Sequence, residues 1–177
     1  MCYVASMSVH DDPNRARLIE LLIEGCLSAQ LSEPVAISNG PSATVEAMDA
    51  ILLAPDPLLG LETILDNGAI KLLLPEVYAI VDFHKSCPVH HKDLWTHTLE
   101  VLERSRPDAN LRWAVLLHDV GKVQTRSIDA SNRVSFHGHE ELGGTIMREV
   151  GARLKMDSER IERIAMIIER HGRINAY

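Results

Sequence analysis

Aromatic side chains are scarce in this 177-residue chain, at 4% of positions, although 46% of the chain is hydrophobic. The apolar residues are mostly Leu, Ile, Ala and Val, and their β-branched runs are short, which disfavours a sandwich or barrel and points to packed helices. Cysteine is rare too. Cys2, Cys26 and Cys87 are odd in number, far apart and form no C-x-x-C pair, which excludes a disulfide framework and a structural zinc knuckle and suits a reducing compartment. No segment approaches the roughly 20 apolar residues that a membrane span needs, and the opening MCYVASMSVHDDPN lacks the basic start and apolar stretch of a signal peptide. A cytoplasmic protein with no membrane partner is expected. Positive charge is in deficit: 18 Lys and Arg face 25 Asp and Glu, a net charge of -7. An extended groove that neutralises many nucleic-acid phosphates is therefore not expected, whereas small phosphorylated substrates are compatible with this balance.

What is present is helical periodicity. Pro13 and RARLIELLIEGCLSAQL place Leu18, Leu21, Leu22 and Leu31 at near-helical spacing, and SEPVAISNGPS then interrupts with prolines and a glycine. From Ser42, ATVEAMDAILL runs to the turn APDP; LLGLETILDNG forms a second helical stretch and AIKLLLPEV a third. Leu58, Leu61, Leu65, Leu72, Leu73 and Leu74 read as core, and residues 1 to 80 as a helical extension without chemistry of its own. Residues 81 to 177 differ in character. Helices are expected at about 93 to 104, 109 to 119, 140 to 154 and 157 to 171, with the polar stretch QTRSIDASNRVSFHG between the second and third.

Histidine dominates this second part. His97 shares a helix face with Leu94 and Val101, so its imidazole points inward. His118-Asp119 closes the apolar run WAVLLHD just before Gly121, where the chain can turn around an imidazole and a carboxylate at a helix end. A buried carboxylate is costly without a cation beside it, and imidazole with carboxylate suits divalent Mn, Fe, Ni or Zn. His171 follows Ile161, Ile164 and Ile168 on one helical stripe, and His139 precedes the helix that starts at Glu140, so both can reach the same pocket. Any one of these histidines alone reads as a core or capping residue; four of them at inward or helix-end positions beside one aspartate read as a metal site. Lys122, three residues after Asp119, is placed either to hold a phosphate oxygen or simply to complement the helix C-terminus. His10, His84, His90, His91 and His137 have no comparable placement, although His91 and His137 are close enough in sequence to border the pocket.

At these residues the chain resembles the HD superfamily, whose series is a histidine, then His-Asp, then often two further histidines and a late aspartate. The stretches HHKDLWTHTLEVL, LRWAVLLHDVGKVQTR and VSFHGHEELGG are similar to the HD region of bacterial tRNA nucleotidyltransferases and poly(A)-polymerase-like proteins. Upstream, AMDAILLAPDPLLGLETILDNGAIKLLLPEV resembles the helical region that precedes it, so the likeness covers roughly residues 42 to 174. There is no D-x-D and no Gly-Ser nucleotide-binding start, so nucleotide addition is not implied, and Tyr177 is reached before the late aspartate.

The resemblance implies an all-α HD-domain helical bundle with an N-terminal helical extension. It implies that His97, His118 and Asp119 hold one divalent metal ion (Mn, Fe, Ni, Zn or Mg), and that Asp119 bridges to a second held by His139 and His171. Asp119 and Lys122 would then carry catalysis. The implied activity is that of a phosphodiesterase or phosphatase acting on nucleotides or 2′,3′-cyclic phosphodiesters through an activated water. Two other readings stand beside it: a non-catalytic, metal-stabilised helical module that binds RNA or a partner, and a di-iron oxygenase.

Overall fold

The computed structural model describes residues 41–83 and 93–172. In chain order the helices are α1 (Pro41–Leu53), α2 (Pro57–Asp66), α3 (Ala69–Leu73), α4 (Pro75–Phe83), α5 (Leu94–Arg104), α6 (Ala109–Leu117) and the single turn α7 (Lys122–Thr125). A two-stranded antiparallel hairpin, β1 (Ser127–Ile128) and β2 (Val134–Ser135), leads to α8 (His139–Arg153) and α9 (Ser158–Arg170). The architecture is the all-α bundle expected from composition. The helix expected over residues 13 to 31 lies outside the described residues, as do all three cysteines.

Aspartate starts four of the nine described helices. Asp56, Asp93, Asp108 and Asp157 each accept a hydrogen bond from a backbone N–H of the first turn, at 2.9 to 3.1 Å. Such caps satisfy donors that the helix cannot satisfy itself. Asn67-Gly68 ends α2 with glycine at φ +80°, a conformation that suits glycine. The single helix expected over AIKLLLPEV is in fact two, because Pro75 has no N–H to continue α3 and instead opens α4. The polar stretch after residue 124 also holds more order than expected: the Asp129 carboxylate accepts from the N–H groups of Ser131 and Arg133, tightening the turn between β1 and β2.

One apolar core runs from Val45 on α1 to Ile168 on α9. Helix α6 lies at its centre, with every residue from Arg112 to Leu117 buried. On α8, Gly143, Gly144 and Gly151 face α9, and a Cβ at Gly151 would lie 2.5 Å from the Ile161 side chain. These glycines let the two helices approach more closely than alanine would permit. Among the described residues, no helix is long and apolar enough to cross a membrane.

Polar ties fasten α1 to α4 onto the later helices. The Asp49 carboxylate accepts two hydrogen bonds from Arg160, at 2.6 and 2.8 Å, and a third from the indole of fully buried Trp113 at 2.7 Å. Arg153 donates to the Leu73 carbonyl and to both oxygens of Glu76. Buried Arg112 donates to the Leu52 carbonyl, near the end of α1, and to the Ser105 carbonyl just past the end of α5. A cation placed at two helix C-termini meets the negative ends of both dipoles. Replacing Asp49→Ala strands a buried indole N–H and a mostly buried guanidinium, so we expect a stability loss of about 2 to 4 kcal/mol, read by urea unfolding. An unchanged midpoint would show that these bonds contribute nothing net.

Candidate metal centre

Helix α6 ends at Leu117, two residues short of the expected helix end. His118 and Asp119 therefore occupy the turn that follows, closed by hydrogen bonds from Val120 N–H to the Leu117 carbonyl and from Lys122 N–H to the Asp119 carbonyl. Gly121 is not the left-handed glycine that often terminates a helix, since its φ is -64°. It is needed for a different reason. A Cβ there would lie 2.2 Å from the His139 carbonyl oxygen, so only glycine lets this turn abut the start of α8. Gly138, at φ +78°, then turns the chain into that helix.

These placements bring all five expected residues together. Asp119 is fully buried, and His97, His118, His139 and His171 surround it. Its Oδ2 faces one side of the cluster, 3.3 Å from His118 Nε2 and 3.9 Å from His97 Nε2. Its Oδ1 faces the other, 3.7 Å from His139 Nε2 and 3.8 Å from His171 Nε2. Two donor sets result, His97 with His118 and Asp119, and Asp119 with His139 and His171, and the donor atoms of each lie within 4.8 Å of one another. None of residues 41–83 belongs to either set. Of the other histidines, His137 is exposed on the turn before α8 and joins neither set, while His10, His84, His90 and His91 lie outside the described residues.

Hydrogen bonds fix how three of the rings present themselves. His118, His139 and His171 each place Nδ1 against the backbone carbonyl three residues earlier, those of Val115, Phe136 and Ile168, at 2.6 to 2.8 Å. A carbonyl only accepts, so Nδ1 carries the hydrogen in each ring, and the Nε2 lone pair of the neutral ring points into the cluster. The Nε2 atoms of His139 and His171 are 3.3 Å apart. Two lone pairs at that distance repel unless a cation draws both toward itself. Asp119 Oδ1 is likewise buried with no hydrogen-bond partner, the kind of orphaned acceptor that a missing ion explains. The donor set thus fits a divalent metal.

Electrostatics agrees with that fit. Burial pushes the Asp119 carboxyl up, but His118, when its Nε2 carries a proton, and then the charge and hydrogen bond of Lys122 outweigh it and hold the group well below the usual carboxylate range. Burial lowers the His171 pKa from its ordinary 6.5, against the opposing pull of the Ile168 carbonyl and Asp119, which favours the neutral form that ligates. Lys122 Nζ lies 2.8 Å from Asp119 Oδ2, so the ammonium expected near the metal sits on a ligand oxygen itself. Periodicity does not single out Glu140, yet its carboxylate lies 3.1 Å from His139 Nδ1 and reinforces the proton there. The only sequence signal for it is its position directly after His139.

The model of the HD domain family matches residues 94–176, and this part of the chain is an HD domain. The chain is also similar to part of several tRNA nucleotidyltransferases, consistent with an HD region in such proteins. The A-adding tRNA nucleotidyltransferase of Deinococcus radiodurans is 36% identical over 132 residues, covering 71% of this chain and 30% of that protein. The CC-adding tRNA nucleotidyltransferase of Thermus thermophilus gives the same figures. A multifunctional CCA protein of Halorhodospira halophila is 43% identical over 109 residues, 59% of this chain and 25% of its own length. The chain therefore spans less than a third of the length of these relatives. An HD domain supports a metal-dependent, hydrolase-type module, and the histidine and aspartate cluster is compatible with divalent metal binding.

Gly121→Ala tests the packing on which the cluster depends. The added methyl would strike backbone rather than a flexible side chain, forcing the turn away from α8. We expect the helical circular dichroism to persist while bound metal, measured by elemental analysis after dialysis, falls sharply. Full retention of metal would mean that α8 tolerates the shift.

Proposed function

We propose that this HD domain is a metal-dependent phosphohydrolase that cleaves small phosphoesters, with nucleotides and 2′,3′-cyclic phosphodiesters as the first substrate class. Support comes above all from Asp119: one buried carboxylate belongs to both donor sets, and its Oδ1 has no hydrogen-bond partner. His97, His118 and Asp119 would hold one ion, and Asp119, His139 and His171 a second. A divalent ion bound there supplies Lewis acidity to a phosphoryl group and lowers the pKa of water toward neutrality.

The remaining work falls to the chain's own residues. In hydrolysis, water adds to phosphorus, one P–O bond breaks, and the leaving oxygen takes a proton. Lys122 donates three hydrogens and accepts none, so its ammonium can turn from Asp119 to a phosphoryl oxygen and balance the charge that develops there. His97 is the most exposed of the four imidazoles, with 34% of its side chain accessible, and marks the side from which substrate arrives. The net charge of -7 favours a compact phosphoester over a long polyanion. The relatives are named for adding nucleotides to tRNA. They share only this part of their length, so the proposal concerns the domain and a substrate of nucleotide size.

Metal analysis of the purified protein, paired with a panel of 2′,3′-cyclic nucleotides, mononucleotides and bis(p-nitrophenyl) phosphate, tests the proposal. Asp119→Ala should abolish hydrolysis and most metal binding, because imidazoles alone leave the cation's charge uncompensated in an apolar surrounding. Its loss of metal should exceed that of His139→Ala or His171→Ala, each of which empties one position. Lys122→Ala should cut turnover about 10- to 100-fold without lowering metal content, since an ammonium cannot ligate a cation. Metal-loaded protein that leaves every phosphoester intact would instead identify a non-catalytic module, and oxygen uptake by the iron form would identify an oxygenase.

A further inference from the structure

The two donor sets share a carboxylate but are not equivalent. On one side, Asp119 Oδ1 has no hydrogen-bond partner, and the Nε2 atoms of His139 and His171 already lie 3.3 Å from each other and within 4 Å of it. Both rings are held by carbonyls, through Phe136 and Ile168, and His139 has the Glu140 carboxylate beside its Nδ1 as well. Carboxylate and carbonyl partners of this kind orient an imidazole and raise its strength as a ligand. On the other side, Asp119 Oδ2 is engaged by the Lys122 ammonium at 2.8 Å. A cation entering there must break that ion pair and then tolerate a second positive charge close by. The histidine that would complete this set, His97, is also the more exposed one, at 34% against 14% and 23% for His139 and His171.

We propose that the chain loads its metals in a fixed order: Asp119, His139 and His171 form the tighter site and fill first, while Lys122 acts as a built-in competitor that weakens the site of His97, His118 and Asp119. Lys122 is a tethered cation standing at the oxygen that this weaker site needs. The two affinities are set apart chiefly by this ammonium, with the Glu140 support of His139 and the exposure of His97 acting in the same direction, rather than by a difference in ligand type, since each set consists of two imidazoles and one carboxylate oxygen. The inference rests on the metal site alone and holds whichever phosphoester the domain cleaves.

Calorimetric titration of chelator-stripped protein with Mn²⁺ tests it, with circular dichroism to confirm that each variant folds. The wild type should bind in two steps separated by at least about tenfold in affinity. His171→Ala should remove the tighter step, and His97→Ala should leave that step intact while removing the weaker one. Lys122→Met keeps the length and apolar stem of the side chain without its charge, and should tighten the weaker step by about tenfold or more while leaving the tighter one unchanged. A single step that survives His97→Ala but not His171→Ala also supports the order. Loss of the tighter step in His97→Ala, an unaltered weaker step in Lys122→Met, or no binding at all would overturn it. Because the readout is Mn²⁺ affinity, an inactive protein that still loads in this order would overturn the phosphohydrolase proposal alone.

Discussion

Burying a carboxylate without matching it to positive charge is among the least favourable things a fold can do, and the second half of this chain is organised around that constraint. Asp119 is fully buried at the end of the helix that runs through the centre of the core. Lys122, three residues on, answers one of its oxygens; the other is left to the imidazoles of His139 and His171 and whatever cation they collect. A stable apolar residue at position 119 would pack more easily. The cost of the carboxylate makes sense in terms of what the centre binds, in keeping with the tendency of strongly perturbed titratable groups to mark functional positions.

Backbone packing does as much for this centre as side-chain chemistry. The four histidines come from α5, the turn after α6, the start of α8 and the end of α9, which are widely separated in sequence. They converge because Gly121 admits the His139 carbonyl and because Gly143, facing Ile168, and Gly151, facing Ile161, draw α8 against α9. His171 stands one residue beyond the end of α9, so its position follows from the contact between those two helices. Rings anchored to the carbonyls of their own helix ends have little rotational freedom left, and the donor atoms are aimed before any ligand arrives.

Much of this was legible in the sequence. The bundle follows from apolar spacing and the scarcity of aromatics, and His97, His118, Asp119, His139 and His171 stand out because imidazoles on apolar helix faces demand a reason. What pattern could not supply was everything that depends on one element meeting another. Gly121 reads as a chain terminator, yet its role is to leave room for a carbonyl eighteen positions later. Lys122 reads either as a substrate-facing cation or as a complement to the helix C-terminus, and only its distance to Oδ2 shows that it pairs with the buried carboxylate. Pro75 is visible as a breaker, but whether it ends a segment or starts the next is decided by packing. The small hairpin escaped notice because its strands are two residues long and its order comes from the Asp129 side chain rather than from alternation.

Arg112 carries a consequence for how such a module can be moved between proteins. Its guanidinium is buried inside α6, six residues before the His118-Asp119 turn, and grips the trailing carbonyls of two other helices, one of them in the segment that precedes the family's matched region. The start of the family's matched region at residue 94 is therefore not a seam in the material. A protein that inherits this domain, or an engineer who transplants it, inherits α1 as part of its foundation, and the smallest portable unit is set by where a buried cation finds its carbonyls rather than by where the motif begins.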